Sequence, residues 1–213
     1  MFSEKEVERL VELAQWYKKA KPLILYAEET DPDFRSNLQI IKELRDAFDH
    51  LMRVIVARAD PQSEHHNDAD YSEKNLQKAL GHTYRASFDA LDGTVLSIRE
   101  QLVEMLRPFD REVLNDVIPD YWKKKQLLEE VTRKIAHHRA SKDVGQNVGE
   151  ILDAYVKDVE TLIEFKQQLT SAMPSLMECQ DRVRRSKWKH YGITAIISLI
   201  SLLAGWWLRG HGG

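Results

Sequence analysis

The chain has 213 residues, a formal charge of −3, 43% hydrophobic and 31% charged residues, and a single cysteine. That is enough chain for one domain with a real core, and the balance excludes disordered and collagen-like classes. One cysteine, Cys179, excludes an internal disulfide framework and a zinc site built mainly from thiolates. The net charge hides an asymmetry. Residues 181–213 carry six Lys/Arg and one Asp, and the other 180 carry 25 basic and 33 acidic residues. An acidic main body argues against broad coating of nucleic acid.

Taken in chain order, the residues before 190 read as helix throughout, with apolar positions recurring at three and four. Ser3 with Glu6 forms a capping box for a first helix, which carries Val7, Leu10, Ala14 and Tyr17 and meets Pro22. Asp31-Pro32-Asp33 is a turn. Phe34, Leu38, Ile41, Leu44, Phe48, Leu51 and Ile55 then form a sustained seam on a second helix. The stretch 60–70 is a polar loop. A third helix spans about 72–106, with Gly93 as a candidate bend, and Pro108 follows it. A short helix over 111–117 leads to Pro119, and a further helix spans about 120–140 with Leu128, Val131, Ile135 and His138 on one stripe. Gly145 and Gly149 mark a connection. The next helix carries Val148, Leu152, Tyr155, Val159, Leu162 and Leu169 and ends before Pro174. Ser175 and Glu178 open a last helix as a second capping box.

Residues 191–208, YGITAIISLISLLAGWWL, hold no charge, and such a run, about 27 Å long as a helix, suits a membrane span. Trp188 and Tyr191 at one end and Trp206 and Trp207 at the other suit an aromatic belt. Arg182, Arg184, Arg185, Lys187 and Lys189 precede the run and only Arg209 follows it. The positive-inside rule then orients the N-terminal part to the cytoplasm. The predicted architecture is an all-α antiparallel bundle over 1–173, a basic juxtamembrane helix over 174–190, a single transmembrane helix over 191–208 and an external tail over 209–213. The expected location is a single-pass membrane protein, with the bilayer as one partner. Thr194, Ser198 and Ser201 form a weakly polar stripe that either joins helices into a homo-oligomer or bonds to its own backbone.

Two segments place an arginine and a histidine with four residues between: Arg45 to His50 and Arg133 to His138. An imidazole can act as acid or base, and a guanidinium can stabilise a developing oxyanion. Together they suit metal-independent cleavage of RNA through its own 2′-hydroxyl. Positions five apart lie about 140° apart on a regular helix, so convergence needs a helix break or a second subunit. The plainer alternatives are a solvated face, with Arg45 and Asp49 paired, and a basic helix end with His138 as a packing residue.

Arg-x4-His in an all-helical chain resembles the signature of the HEPN superfamily (higher eukaryotes and prokaryotes nucleotide-binding). The closer match is Arg45, Asp46 as the polar follower, and His50; the second is Arg133, Lys134 and His138. The resemblance implies an endoribonuclease or nucleotide-binding effector of prokaryotic antiviral defence or toxin systems, with RNA and a cytosolic defence-system protein as partners and the motifs paired across a dimer. Two rivals stand beside it: an oligomer that depolarises a membrane, and a membrane-bound helical adaptor.

His82, Arg85, Asp89 and Asp92 share one helix face by their spacing. They read either as a solvated face or as a buried polar network supporting a catalytic histidine. His65-His66-Asn67-Asp68 reads as a solvated loop. No metal site and no cofactor are expected, since the chain has no Gly-rich phosphate loop, nucleophile elbow or HExxH motif.

Overall fold

A computed structural model describes residues 2–31, 37–141 and 148–210, save for the side chains of Ser141 and of 204–210. Among these residues six helices follow one another: α1 Glu4–Thr30, α2 Leu38–Ala59, α3 Ala69–Leu106, α4 Arg111–Val117, α5 Tyr121–Ser141 and α6 Val148–Gly210. Among the described residues there is no strand. Pro32, Asp33, Phe34, Gly145 and the side chains of Trp206, Trp207 and Arg209 lie outside the described residues.

Side-chain pairs give the directions. Arg9 reaches Glu73, Trp16 meets Tyr84, and Gln101 donates to the Thr30 carbonyl, so α1 runs parallel to α3. Glu43 meets His82 and His50 meets Asn75, so α2 runs antiparallel to both. Arg139 of α5 and Tyr155 of α6 both meet Asp92, and Gln180 accepts from the Asp110 amide, so α6 also runs parallel to α3. Helix α3 is therefore the shared wall of two bundles. One is α1–α2–α3, with a core of small residues that includes Ala20, Ala27, Ala86 and Ala90. The other joins the second half of α3 to α4, α5 and α6 around Phe88, Ile98, Val131, Tyr155 and Leu162.

The local signals account for most boundaries. The Ser3–Glu6 capping box forms, and Asn37 and Asp68 cap α2 and α3 through their side chains. Helix α3 runs without interruption through Gly93, where a Cβ would meet Asn37 Nδ2 at 3.9 Å. Pro22 and Pro174 lie inside α1 and α6, so the two expected C-terminal helices are one. The boundaries at 173/174 and 190/191 thus fall within a single 63-residue helix.

A further correction concerns phase. The seam over Leu38, Ile41, Phe48 and Ile55 is exposed, and α2 instead buries Ile40, Glu43, Ala47, Val54 and Ala57. Helix α1 is rotated in the same sense: Val7 and Tyr17 are half exposed while Leu13, Ala20, Ile24 and Ala27 are buried. Alanines let the axes approach α3 closely, which bulky side chains would prevent. The displaced seams then face one another across an open groove of about 430 Å³, whose lining includes Leu10, Tyr17, Leu44, Phe48 and Leu51.

The expected membrane span is overturned, and with it the single-pass location and its orientation. Among the described residues no helix is long and apolar enough to cross a membrane. The depolarising oligomer and the membrane-bound adaptor lose their premise with it. Thr194, Ser198 and Ser201 each donate to the carbonyl four residues back, so that stripe serves its own helix.

One buried ion pair closes the lower end of the first bundle. Glu6 is 3% exposed and accepts from Arg58 Nη2 at 2.6 Å and Nε at 2.8 Å; Arg58 also donates to the His66 carbonyl. Burial pushes the Glu6 carboxyl up, but the Ser3 amide, Arg58 and the Ser3 hydroxyl outweigh it and hold the group at about 2 against an ordinary 4.5. A folded-state value below the unfolded one stabilises the fold above pH 4.5, and that contribution is lost as pH falls towards 2. Arg58→Ala, which strands the buried carboxylate, is expected to cost about 3–5 kcal/mol in urea denaturation at pH 7. Glu6→Gln should flatten the acid limb of the stability–pH curve, and an unchanged limb would contradict this assignment.

Candidate functional site

The α2–α3 interface carries the densest arrangement of chemistry-bearing side chains. On α2, Glu43 and His50 are two turns apart on the buried stripe; on α3, Asn75, His82 and Arg85 face them. Glu43 is 6% exposed. Its Oε2 accepts from Arg85 Nε at 2.8 Å and lies 2.8 Å from His82 Nδ1. Arg85 Nη2 also lies 2.7 Å from that nitrogen. Nδ1 cannot both accept from Arg85 and donate to Glu43. The carboxylate is the stronger partner, so Nδ1–H donates to Glu43 and the neutral ring keeps its lone pair at Nε2.

The same logic fixes His50. Asn75 Nδ2 donates to the Tyr71 carbonyl at 2.8 Å, so Asn75 Oδ1 accepts from His50 Nδ1, also at 2.8 Å. The two imidazoles stack with centroids 5.4 Å apart and planes 20° apart. Both are thus held through Nδ1 on carbonyl or carboxylate oxygens, and both keep Nε2 as the basic atom. Burial raises the Glu43 carboxyl, and the hydrogen bonds from Arg85 and His82 outweigh it, so the group sits below the usual carboxylate range. The neighbouring carboxylates are paired: Asp46 with Arg45 at 2.8 Å and Asp49 with Arg53 at 2.8 Å. The Arg45 hydrogen bond is the main cause that holds Asp46 low. The cluster lies along the seam between two helices, with Arg85 as its exposed member.

Arg45 and His50 do not converge. Arg45 is exposed and turns to Asp46, while His50 turns to α3. The 140° separation on a regular helix is kept because α2 runs unbroken from Leu38 to Ala59. The second pair separates too. His138 Nε2 meets Asp158 at 2.9 Å and stacks on buried Tyr155 at 5.4 Å, which ties α5 to α6. Arg133 is exposed and lines a groove of about 670 Å³ with Arg99, Lys125 and Phe165.

The proposed four-residue face on α3 is divided. His82 and Arg85 serve α2, whereas Asp92 accepts from the Tyr155 hydroxyl at 2.6 Å and pairs with Arg139 at 3.1 Å. Burial and Asp92 together push the Tyr155 phenol far up. Asp89 is half-buried one turn from Arg85. Sequence reasoning missed Glu43 and Asn75. The available signal was their register, since Glu43, Ala47 and His50, and Asn75, Ala79 and His82, share the same four-three steps. His65 stacks on Tyr71 at 3.8 Å and pairs with Asp68 at 3.4 Å. Among the described residues no group of three His, Cys, Asp or Glu is placed to hold a metal ion. The basic stretch before Tyr191 is partly engaged: Lys187 meets Asp110 at 2.7 Å and Arg182 meets Glu178 at 3.6 Å.

No family model, no curated protein and no solved structure matches this chain.

Arg85 is 42% exposed at its side chain while its partner carboxylate is buried. The expected cost of Arg85→Ala lies between that of a solvated face and that of a fully buried network, at about 1–3 kcal/mol, because His82 still serves Glu43. Chemical denaturation of the full chain measures it. A change below roughly 0.5 kcal/mol would place the residue on a merely solvated face.

Proposed function

We propose that His50, His82 and Arg85 form an acid–base centre that cleaves RNA through its own 2′-hydroxyl, in line with the HEPN resemblance but with a different set of residues. The observation that carries this reading is the shared orientation of the two imidazoles, each anchored through Nδ1 with Nε2 basic. One neutral Nε2 takes the 2′-hydroxyl proton. The 2′-oxygen attacks the adjacent phosphorus, a cyclic phosphate forms, and the 5′-oxygen departs with a proton from the other imidazolium. Arg85 Nη1 is not needed by Glu43 or His82 and supplies a donor to the non-bridging oxygens. Glu43 and Asn75 are positioning residues. Because Asp46 and Asp49 are each neutralised by an arginine, the phosphate meets less repulsion than their number suggests. An open seam suits a single strand better than a small nucleotide. An effector of the defence or toxin kind follows if such cleavage arrests growth on expression.

The test is incubation of the full chain with labelled single-stranded RNA in the presence of EDTA. Cleavage should leave 2′,3′-cyclic ends and show a rate that rises and then falls with pH, since one imidazole must be neutral and the other protonated. His50→Ala and His82→Ala should each lower the rate about 10²–10⁴-fold with folding retained. Arg45→Ala and Arg133→Ala should leave it within a few-fold. Intact RNA, or cleavage that survives in the His50/His82 double variant, would defeat the reading.

A further inference from the structure

A second groove runs between α3 and α5, away from the acid–base centre. Arg99, Leu102 and Leu106 of α3 line one wall, Leu128 and Arg133 of α5 the other, and Phe165 of α6 the floor. Its volume of about 670 Å³ falls in the range of small-molecule sites. Arg99 lies about 25 Å beyond His82 along α3, so the groove is a separate place in the fold.

One ion pair sets the register of the two walls. Arg139 meets Asp92 at 3.1 Å. Tyr121, the first residue of α5, lines the groove together with Leu106, the last of α3, so α5 runs antiparallel to α3. Equal rises along both helices then bring Arg133 opposite Ile98 and Arg99. Two guanidinium groups stand at one level on facing walls, with apolar side chains beyond them.

Neither guanidinium has an ion-pair partner among the described residues. On α3 the residues three and four positions from Arg99 are Val95, Leu96, Leu102 and Val103, all apolar. On α5, Glu130 is taken by Lys134 at 3.2 Å. Glu129 lines the groove between Lys125 and Arg133 and pairs with neither among the described residues. Like charges on facing walls repel, and an anion between them turns the repulsion into attraction. Guanidinium forks match a carboxylate in particular. Lys125, two turns before Arg133, holds its ammonium over the Trp122 ring at 5.4 Å, so its methylene stem closes the other end. About 12 Å of aliphatic surface lies between the two ends.

We infer that this groove binds a free medium-chain carboxylate, its head between Arg99 and Arg133 and its hydrocarbon chain along Leu102, Leu106 and Leu128 towards Lys125. The lining selects this class. Val103 of the same wall is 64% exposed, and a hydrocarbon chain removes such area from water where a small polar anion would not. A nucleic-acid strand needs exposed ring faces for its bases, and Tyr121 and Phe165 are 7% and 8% exposed.

The experiment is equilibrium dialysis of the full chain against labelled decanoate at pH 8, below the concentration at which it forms micelles. One molecule should bind per chain. Arg99→Gln and Arg133→Gln should each weaken binding by about 10-fold or more, and Val103→Asp should do the same. Glu129→Gln, which removes a carboxylate from the lining, should strengthen it. All four side chains are exposed, so folding is retained, and circular dichroism checks it. Acetate, a head group without a chain, should not compete. Three results would overturn the inference. The first is no bound decanoate, or binding unchanged in both arginine variants. The second is loss of binding in Ile200→Glu but not in Arg99→Gln, which would place decanoate on the exposed end of α6. The third is labelled single-stranded RNA that binds through Arg99 and Arg133 and is not displaced by decanoate, which would make the occupant a nucleic acid.

Discussion

Everything in this molecule depends on how α3 is buried. It is 38 residues long and must serve two bundles, one along its first half and one along its second. Small residues solve the first task. Ala79, Thr83, Ala86, Ser87 and Ala90 let α1 and α2 approach closely. Large residues solve the second: Phe88, Leu91, Val95, Ile98 and Leu102 interdigitate with α4, α5 and α6. Buried Thr83 and Ser87 donate to carbonyls one turn back, so both hydroxyls are satisfied within α3 itself.

Close approach has an electrostatic consequence. A stripe of alanines leaves little apolar volume at the α2–α3 contact, and polar side chains reach across its edge. Glu43 is desolvated there, and a buried carboxylate is stable only with cationic or hydrogen-bonding partners. Arg85 and His82 provide them. The arrangement that suits catalysis is thus also the arrangement that lets a charged residue sit on the buried stripe of α2. His138 shows the other use of imidazole in this fold, as a link between α5 and α6 on the face of Tyr155.

The same close packing turns the bulky residues of α1 and α2 outwards. Their seams line the open groove between the two helices. Leu176 is the last fully buried residue of α6 among those described, and Cys179 and Val183 beyond it still pack against the core.

Helix existence and type were legible in the sequence, because periodicity and caps are local: Ser3 with Glu6, Arg111 to Val117, and the stripe through Leu152, Tyr155, Val159 and Leu162. The two arginine–histidine spacings were also legible, as were His82 and Arg85 as neighbours on a turn. The sequence could not reveal which stripe of α2 faces inwards. Two stripes of that helix are apolar enough, and the choice lies with the partner surface of α3. For the same reason Glu43 and Asn75 were not visible as site residues, since each acquires its role across an interface between helices far apart in the chain. Pro174 read as a helix end on local grounds, yet it stands, like Pro22, within a continuous helix, which tertiary packing sustains at the cost of one backbone hydrogen bond each. Local chemistry determined most of the elements and their ends; the rotation of each helix about its own axis, and hence the site, was decided only when α3 was enclosed.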